Sequence, residues 1–146
     1  MGQNANRPLS PHLQIYRWGP AMAASIFHRA TGFVLATVGM LTLLWWLSAI
    51  GGGAESYANF QKYVVSAGDA GTTWEVSVNW FFRLVGLAVT YSFFQHLFSG
   101  LRHLILDMGA GFELKTNRTW ALLVFIGALF ATAAVALYVT FRTMGA

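Results

Sequence analysis

The sequence predicts an all-α membrane protein with three transmembrane helices, and three observations carry that prediction. Of its 146 residues, 56% are apolar and only 10% charged, whereas a water-soluble domain charges roughly a quarter of its residues. Three separate apolar stretches are each long enough to cross the hydrocarbon of a bilayer, which takes about 20 helical residues. The nine Lys and Arg fall singly at the margins of these stretches, a pattern of membrane orientation and not of a nucleic-acid surface. No nucleic-acid partner is expected, and membrane lipids are.

Residues 1–20 are read as an N-terminal interfacial segment. It has no apolar core and carries Pro8 and Pro11, so it resembles neither a signal peptide nor an amphipathic transit helix. That favours a bacterial cell inner membrane over an unprocessed mitochondrial precursor. Residues 21–146 form a single three-helix domain. Pro20 suits the first helical turn of span one, which covers residues 21–50 and is closed by Gly51, Gly52 and Gly53. Span two covers residues 80–106, with Trp80 and Arg83 before its apolar run and Arg102 near its end. Span three covers residues 119–141, relieved only by Thr and by Tyr138. In the loop after span one, Tyr57, Phe60, Val64 and Val65 mark a short helix lying at the membrane interface.

Arg7, Arg17, Arg29, Arg102, Lys115 and Arg118 gather at one end of the spans, against Lys62, Arg83 and Arg142 at the other. By the positive-inside rule the N-terminus is expected on the cytoplasmic side.

Cysteine is absent, which removes thiolate metal sites, iron–sulfur ligation and c-type haem attachment, and leaves histidine as the strong nitrogen ligand. Seven helical residues turn within about 20° of two revolutions, so His96 and His103 share a face of span two, with Asp107 one turn further. Ser92, Ser99 and Gly100 around His96 are small and leave a slot beside the imidazole. A flat macrocycle with iron on that nitrogen needs such a slot, and His96 is the candidate axial ligand of haem iron. A helix-packing notch, with His96 hydrogen-bonded to a neighbouring helix, accounts for the same residues.

Span one brings Ser25, His28, Arg29, Thr31 and Gly32 to a similar region. Ser25 lies three residues from His28 and four from Arg29, within side-chain reach on a helix. A hydroxyl, an imidazole and a fixed cation suit an anionic propionate or a quinone carbonyl, although an isolated arginine at this position equally snorkels to lipid phosphates. His103 with Asp107 reads as a propionate contact, a proton donor or an interface ion pair. His28 and His103 are expected near the membrane surface, so a second axial ligand to a haem on His96 would come from another chain. Three spans carrying this many polar groups also imply a partner with further helices.

The runs Arg7-Pro8-Leu9-Ser10-Pro11-His12-Leu13-Gln14-Ile15-Tyr16, Ser25-Ile26-Phe27-His28-Arg29-Ala30-Thr31-Gly32 and His96-Leu97-Phe98-Ser99-Gly100-Leu101-Arg102-His103-Leu104-Ile105-Leu106-Asp107 resemble, in that order, the cytochrome b556 membrane-anchor subunits of succinate dehydrogenase. The resemblance implies a subunit of succinate:quinone oxidoreductase, respiratory complex II, that carries no complete active site of its own. It implies haem b shared with a second small membrane-anchor subunit, which supplies the other axial histidine and completes a helical bundle. A flavoprotein subunit and an iron–sulfur subunit would dock on the cytoplasmic or matrix face, and ubiquinone would be the substrate. By motif position His96 is the axial ligand, His28, Arg29 and His103 lie around the propionates, and Ser25 with Arg29 forms the quinone site. A proton-relay or transporter subunit built on His96 and His103, and a haem-free structural anchor, are the alternatives.

Overall fold

The computed structural model describes residues 16–66, 68 and 71–144. The Arg7–Ile15 part of the first run, and most of the expected interfacial segment, lie outside them. Three helices are long and apolar enough to cross a membrane, Pro20–Gly51, Thr73–Asp107 and Leu114–Arg142. No strand occurs among the described residues.

Span one starts as expected, with Pro20 at its first turn and the Gly19 carbonyl accepting from the amides of Met22 and Ala23. Its middle differs from a plain α-helix: Leu35–Gly39 is a π turn, where the hydrogen bonds reach one residue further and rotate the later half of the helix relative to the earlier half. The polar half of the span, Ser25 to Gly32, is thereby set in a different phase from the apolar half, Met40 to Gly51. Periodicity carries no sign of this, because the residues immediately flanking the turn, Phe33, Val34, Met40 and Leu41, are apolar.

Span two begins at Thr73, seven residues before the expected 80. A capping box explains the difference: the Thr72 amide donates to Glu75 Oε2 at 2.9 Å, and the Glu75 amide donates to Thr72 Oγ1 at 3.4 Å. The Thr-x-x-Glu spelling is a helix-start signal that the apolar run downstream overshadows. The interfacial helix expected around Tyr57 to Val65 is present as Gly53–Val64. It is pinned to span two by Asn79 Nδ2, which donates to the carbonyls of Lys62 (2.9 Å) and Tyr63 (2.6 Å). Arg83 Nη2 donates to the Val65 carbonyl at 3.4 Å and Lys62 pairs with Glu75 at 2.6 Å. The Asn79 and Arg83 bonds satisfy carbonyls that the end of a helix leaves open. Phe60 is buried against Trp45, their rings edge-on at 5.1 Å.

The three spans meet on residues spaced by seven. Ser92 and Ser99, Gln95 and Arg102, Ala121 and Ala128, and Ala24 and Thr31 are all buried. A seven-residue repeat of small side chains lets helices approach closely at the shallow crossing angle of a left-handed bundle. The unusual feature is that span two supplies polar groups to this junction: the Gln95 amide and the Ser99 hydroxyl are fully buried and lack hydrogen-bond partners among the described residues.

Candidate functional site

His96 projects from span two toward span one, and the contact is close because position 32 is glycine. A Cβ placed on Gly32 would stand 2.9 Å from His96 Cε1 and 3.3 Å from His96 Nδ1. The ring's Nδ1 lies 3.0 Å from the His28 carbonyl oxygen. A carbonyl only accepts, so Nδ1 carries the proton and donates, and the ring's lone pair is left on Nε2. The same carbonyl accepts from Thr31 Oγ1 at 3.1 Å, while that hydroxyl also lies 2.7 Å from the Phe27 carbonyl.

The His28 ring stacks on the His96 ring, with centroids 3.9 Å apart and planes 11° from parallel. It also meets His103 at 5.2 Å and 61°. His28, expected nearer the membrane surface than His96, thus meets both His96 and His103. A ring eight residues into the helix from Pro20 lies about 12 Å along its axis, deep enough to touch His96. Gly100 makes room for it, since a Cβ there would sit 3.8 Å from His28 Cε1. His28 Nδ1 is buried and has no hydrogen-bond partner among the described residues.

Of the residues expected to open a slot beside His96, Ser92 and Ser99 are buried. Gly32, from the facing helix, is the residue that gives the imidazole its space. In the sequence Gly32 reads only as part of the span-one polar stripe, because cross-helix pairing is not written in one helix's spacing. Ser25 is half-buried and Arg29 exposed, and among the described residues no hydrogen bond joins either to His28. Asp107 is exposed, and no ion pair joins it to His103 among the described residues. The structure thus gathers His28, His96 and His103 into one cluster and leaves Ser25, Arg29 and Asp107 around it without mutual bonds.

This donor set fits an iron porphyrin on two grounds. A metal-ligating histidine characteristically gives its other ring N–H to a carbonyl, which fixes tautomer and orientation, and His96 has that bond in place. The stacked His28 ring covers a face of the imidazole, whereas the Nε2 lone pair lies in the ring plane. The unpartnered His28 Nδ1 and exposed Arg29 are further donors for carboxylate oxygens beside such a group.

Fold and site define a polytopic helical membrane protein in which three histidines from spans one and two meet in one cluster. The chain belongs to the succinate dehydrogenase/fumarate reductase transmembrane subunit family, whose model matches residues 3–135. It is 36% identical over 110 residues to the succinate dehydrogenase cytochrome b556 subunit of Paracoccus denitrificans, covering 75% of this chain and 74% of that one. It is 34% identical over 115 residues to the cytochrome b560 subunit of Reclinomonas americana, covering 79% and 74%. The human mitochondrial b560 subunit is 34% identical over 114 residues, covering 75% of this chain and 58% of that one.

Proposed function

We propose that this chain is the haem b-binding membrane anchor of a succinate:quinone oxidoreductase, with His96 as one axial ligand of the iron. The observation that carries the reading is the Nδ1–H of His96 on the His28 carbonyl at 3.0 Å, which leaves the Nε2 lone pair available for ligation. Membership of the family and the cytochrome names of the relatives support it. When bound, the haem supplies a one-electron redox centre within the bilayer.

The chain's own residues do the rest. Gly32 sets how near span one comes to the His96 ring, and Thr31 shares the carbonyl that orients it. His28, His103 and Arg29 offer donors to propionate oxygens. A second small anchor subunit would supply a further ligand, since His28 is stacked on His96 and His103 shares its helix face.

Ser25 and Arg29 would hold ubiquinone where span one enters the membrane, the hydroxyl on a carbonyl oxygen and the guanidinium on the charge that develops there. A fixed cation in a low-dielectric site is worth more to that oxygen than it would be in water. The iron–sulfur and flavoprotein subunits would dock at this end, with the N-terminus on the same cytoplasmic face. A bacterial inner membrane is the location this reading favours.

Haem content of the purified complex tests the proposal. One b-type haem per anchor pair, measured as the pyridine haemochrome, is expected. A complex active with quinone yet free of haem would overturn the ligand role and leave a structural anchor.

A further inference from the structure

Arg102 faces away from the histidines. One residue before His103, it is turned about 100° round the helix, toward span three, where it lines a groove of about 380 Å³ between spans two and three. Phe98, Leu101 and Ile105 form one wall, and Trp120, Leu123 and Gly127 the other. Gly127 keeps the trough open at its deep end: a Cβ there would already lie 3.4 Å from the Phe98 ring. Leu101 and Leu123 are 47% and 57% exposed, so the groove opens outward from the bundle.

The groove is apolar except at Arg102, which is only 5% exposed. Arg102 Nη2 donates to Asn117 Oδ1, and Nε is buried without a partner among the described residues. The carboxylates at this end of the bundle, Asp107 and Glu113, make no ion pair with it among the described residues. Glu113 instead accepts from Thr116 Oγ1 at 3.4 Å. A buried guanidinium with one neutral partner is an uncompensated charge, and such charges demand an anion. Arg102 lies five residues from the end of span two, about 7.5 Å along the helix, a depth that phosphate oxygens reach at a membrane surface. Exposed Lys115 and Arg118 on the adjoining turns add to the positive potential.

We infer that this groove is a binding site for an anionic phospholipid, its phosphate on Arg102 and an acyl chain lying along Phe98, Leu101, Trp120 and Leu123. The site is separate from the histidine cluster and does not depend on the haem reading.

Trp120 reports on it. The full chain is reconstituted in vesicles containing either brominated phosphatidylglycerol or brominated phosphatidylcholine at equal mole fraction, and the Trp120 signal is isolated by subtracting a Trp120→Phe protein. The expected result is a preference of about fivefold for the phosphatidylglycerol in quenching Trp120, the size of one basic contact to an anionic headgroup. Arg102→Gln brings the two lipids to parity, and Arg102→Lys retains part of the preference. Equal quenching by both lipids in the wild-type chain means that the groove accepts any acyl chain, and quenching by neither means that protein covers it. Either result overturns the inference, and neither depends on the Arg102 variants folding.

Discussion

His96 of span two is held by the backbone of span one: its Nδ1–H meets the carbonyl oxygen of His28 at 3.0 Å, directly over Gly32. The His96 imidazole is thus oriented by a main-chain atom, which no side-chain substitution on span one removes outright. Replacements act on it through space and packing.

Gly32→Ala is the sharpest such replacement. The new methyl would stand 2.9 Å from His96 Cε1, so ring or helix must shift, and packed interiors accommodate such shifts at about 1–3 kcal/mol. A fall in haem content, with a shifted reduced-state absorption band, is expected in the purified complex. Gly86→Ala, where a Cβ meets nothing within 4 Å, serves as control and leaves the spectrum unchanged.

Ser25→Ala tests the quinone assignment. Loss of one hydrogen bond to a reacting carbonyl corresponds to about tenfold in rate. Quinone reduction is expected to drop by that order while succinate oxidation with a soluble dye stays intact. An equal loss of both activities would point to damaged assembly in place of a lost quinone contact.

Asn79→Ala removes both side-chain donors from the carbonyls of Lys62 and Tyr63. Each such bond is worth about 1 kcal/mol, so the Gly53–Val64 helix should detach more often. Faster amide exchange confined to that helix, with an unaltered haem spectrum, is the expected outcome.

Lys62 gives a pH dependence at the same end. Its hydrogen bond and ion pair with Glu75 raise its pKa above the ordinary 10.5. A raised folded-state pKa means that the pair's contribution is complete below the ordinary lysine pKa and is lost as pH climbs through the higher folded value. Because Lys62 is exposed, the contribution is small and weakens with salt. An NMR titration of the Lys62 ammonium should show the raised value, and Glu75→Gln should return it toward that of a free lysine.

The three spans are legible in the sequence because bilayer crossing needs only length and apolarity, and Pro20 and the glycines after Ile50 mark the first one's limits. The start of span two is spelled by Thr72 and Glu75 but masked by the polar turn between cap and apolar run. The π turn at Leu35–Gly39 has no legible signal. At the site, the shared face of His96 and His103 comes from their spacing. The partnership of His96 with Gly32 and the His28 carbonyl does not, since it depends on how two helices cross. Arg102 reads in the sequence only as a flanking charge, and its burial beside Asn117 emerges from the packing of span three.

The most direct test of the account is the reduced-minus-oxidised visible spectrum of the complex carrying His96→Ala. Ligation through Nε2 predicts loss of the b-type signal, or its conversion to a five-coordinate form, with membrane assembly of the chain retained. A wild-type b-type spectrum in that variant would contradict the assignment of His96 to the iron.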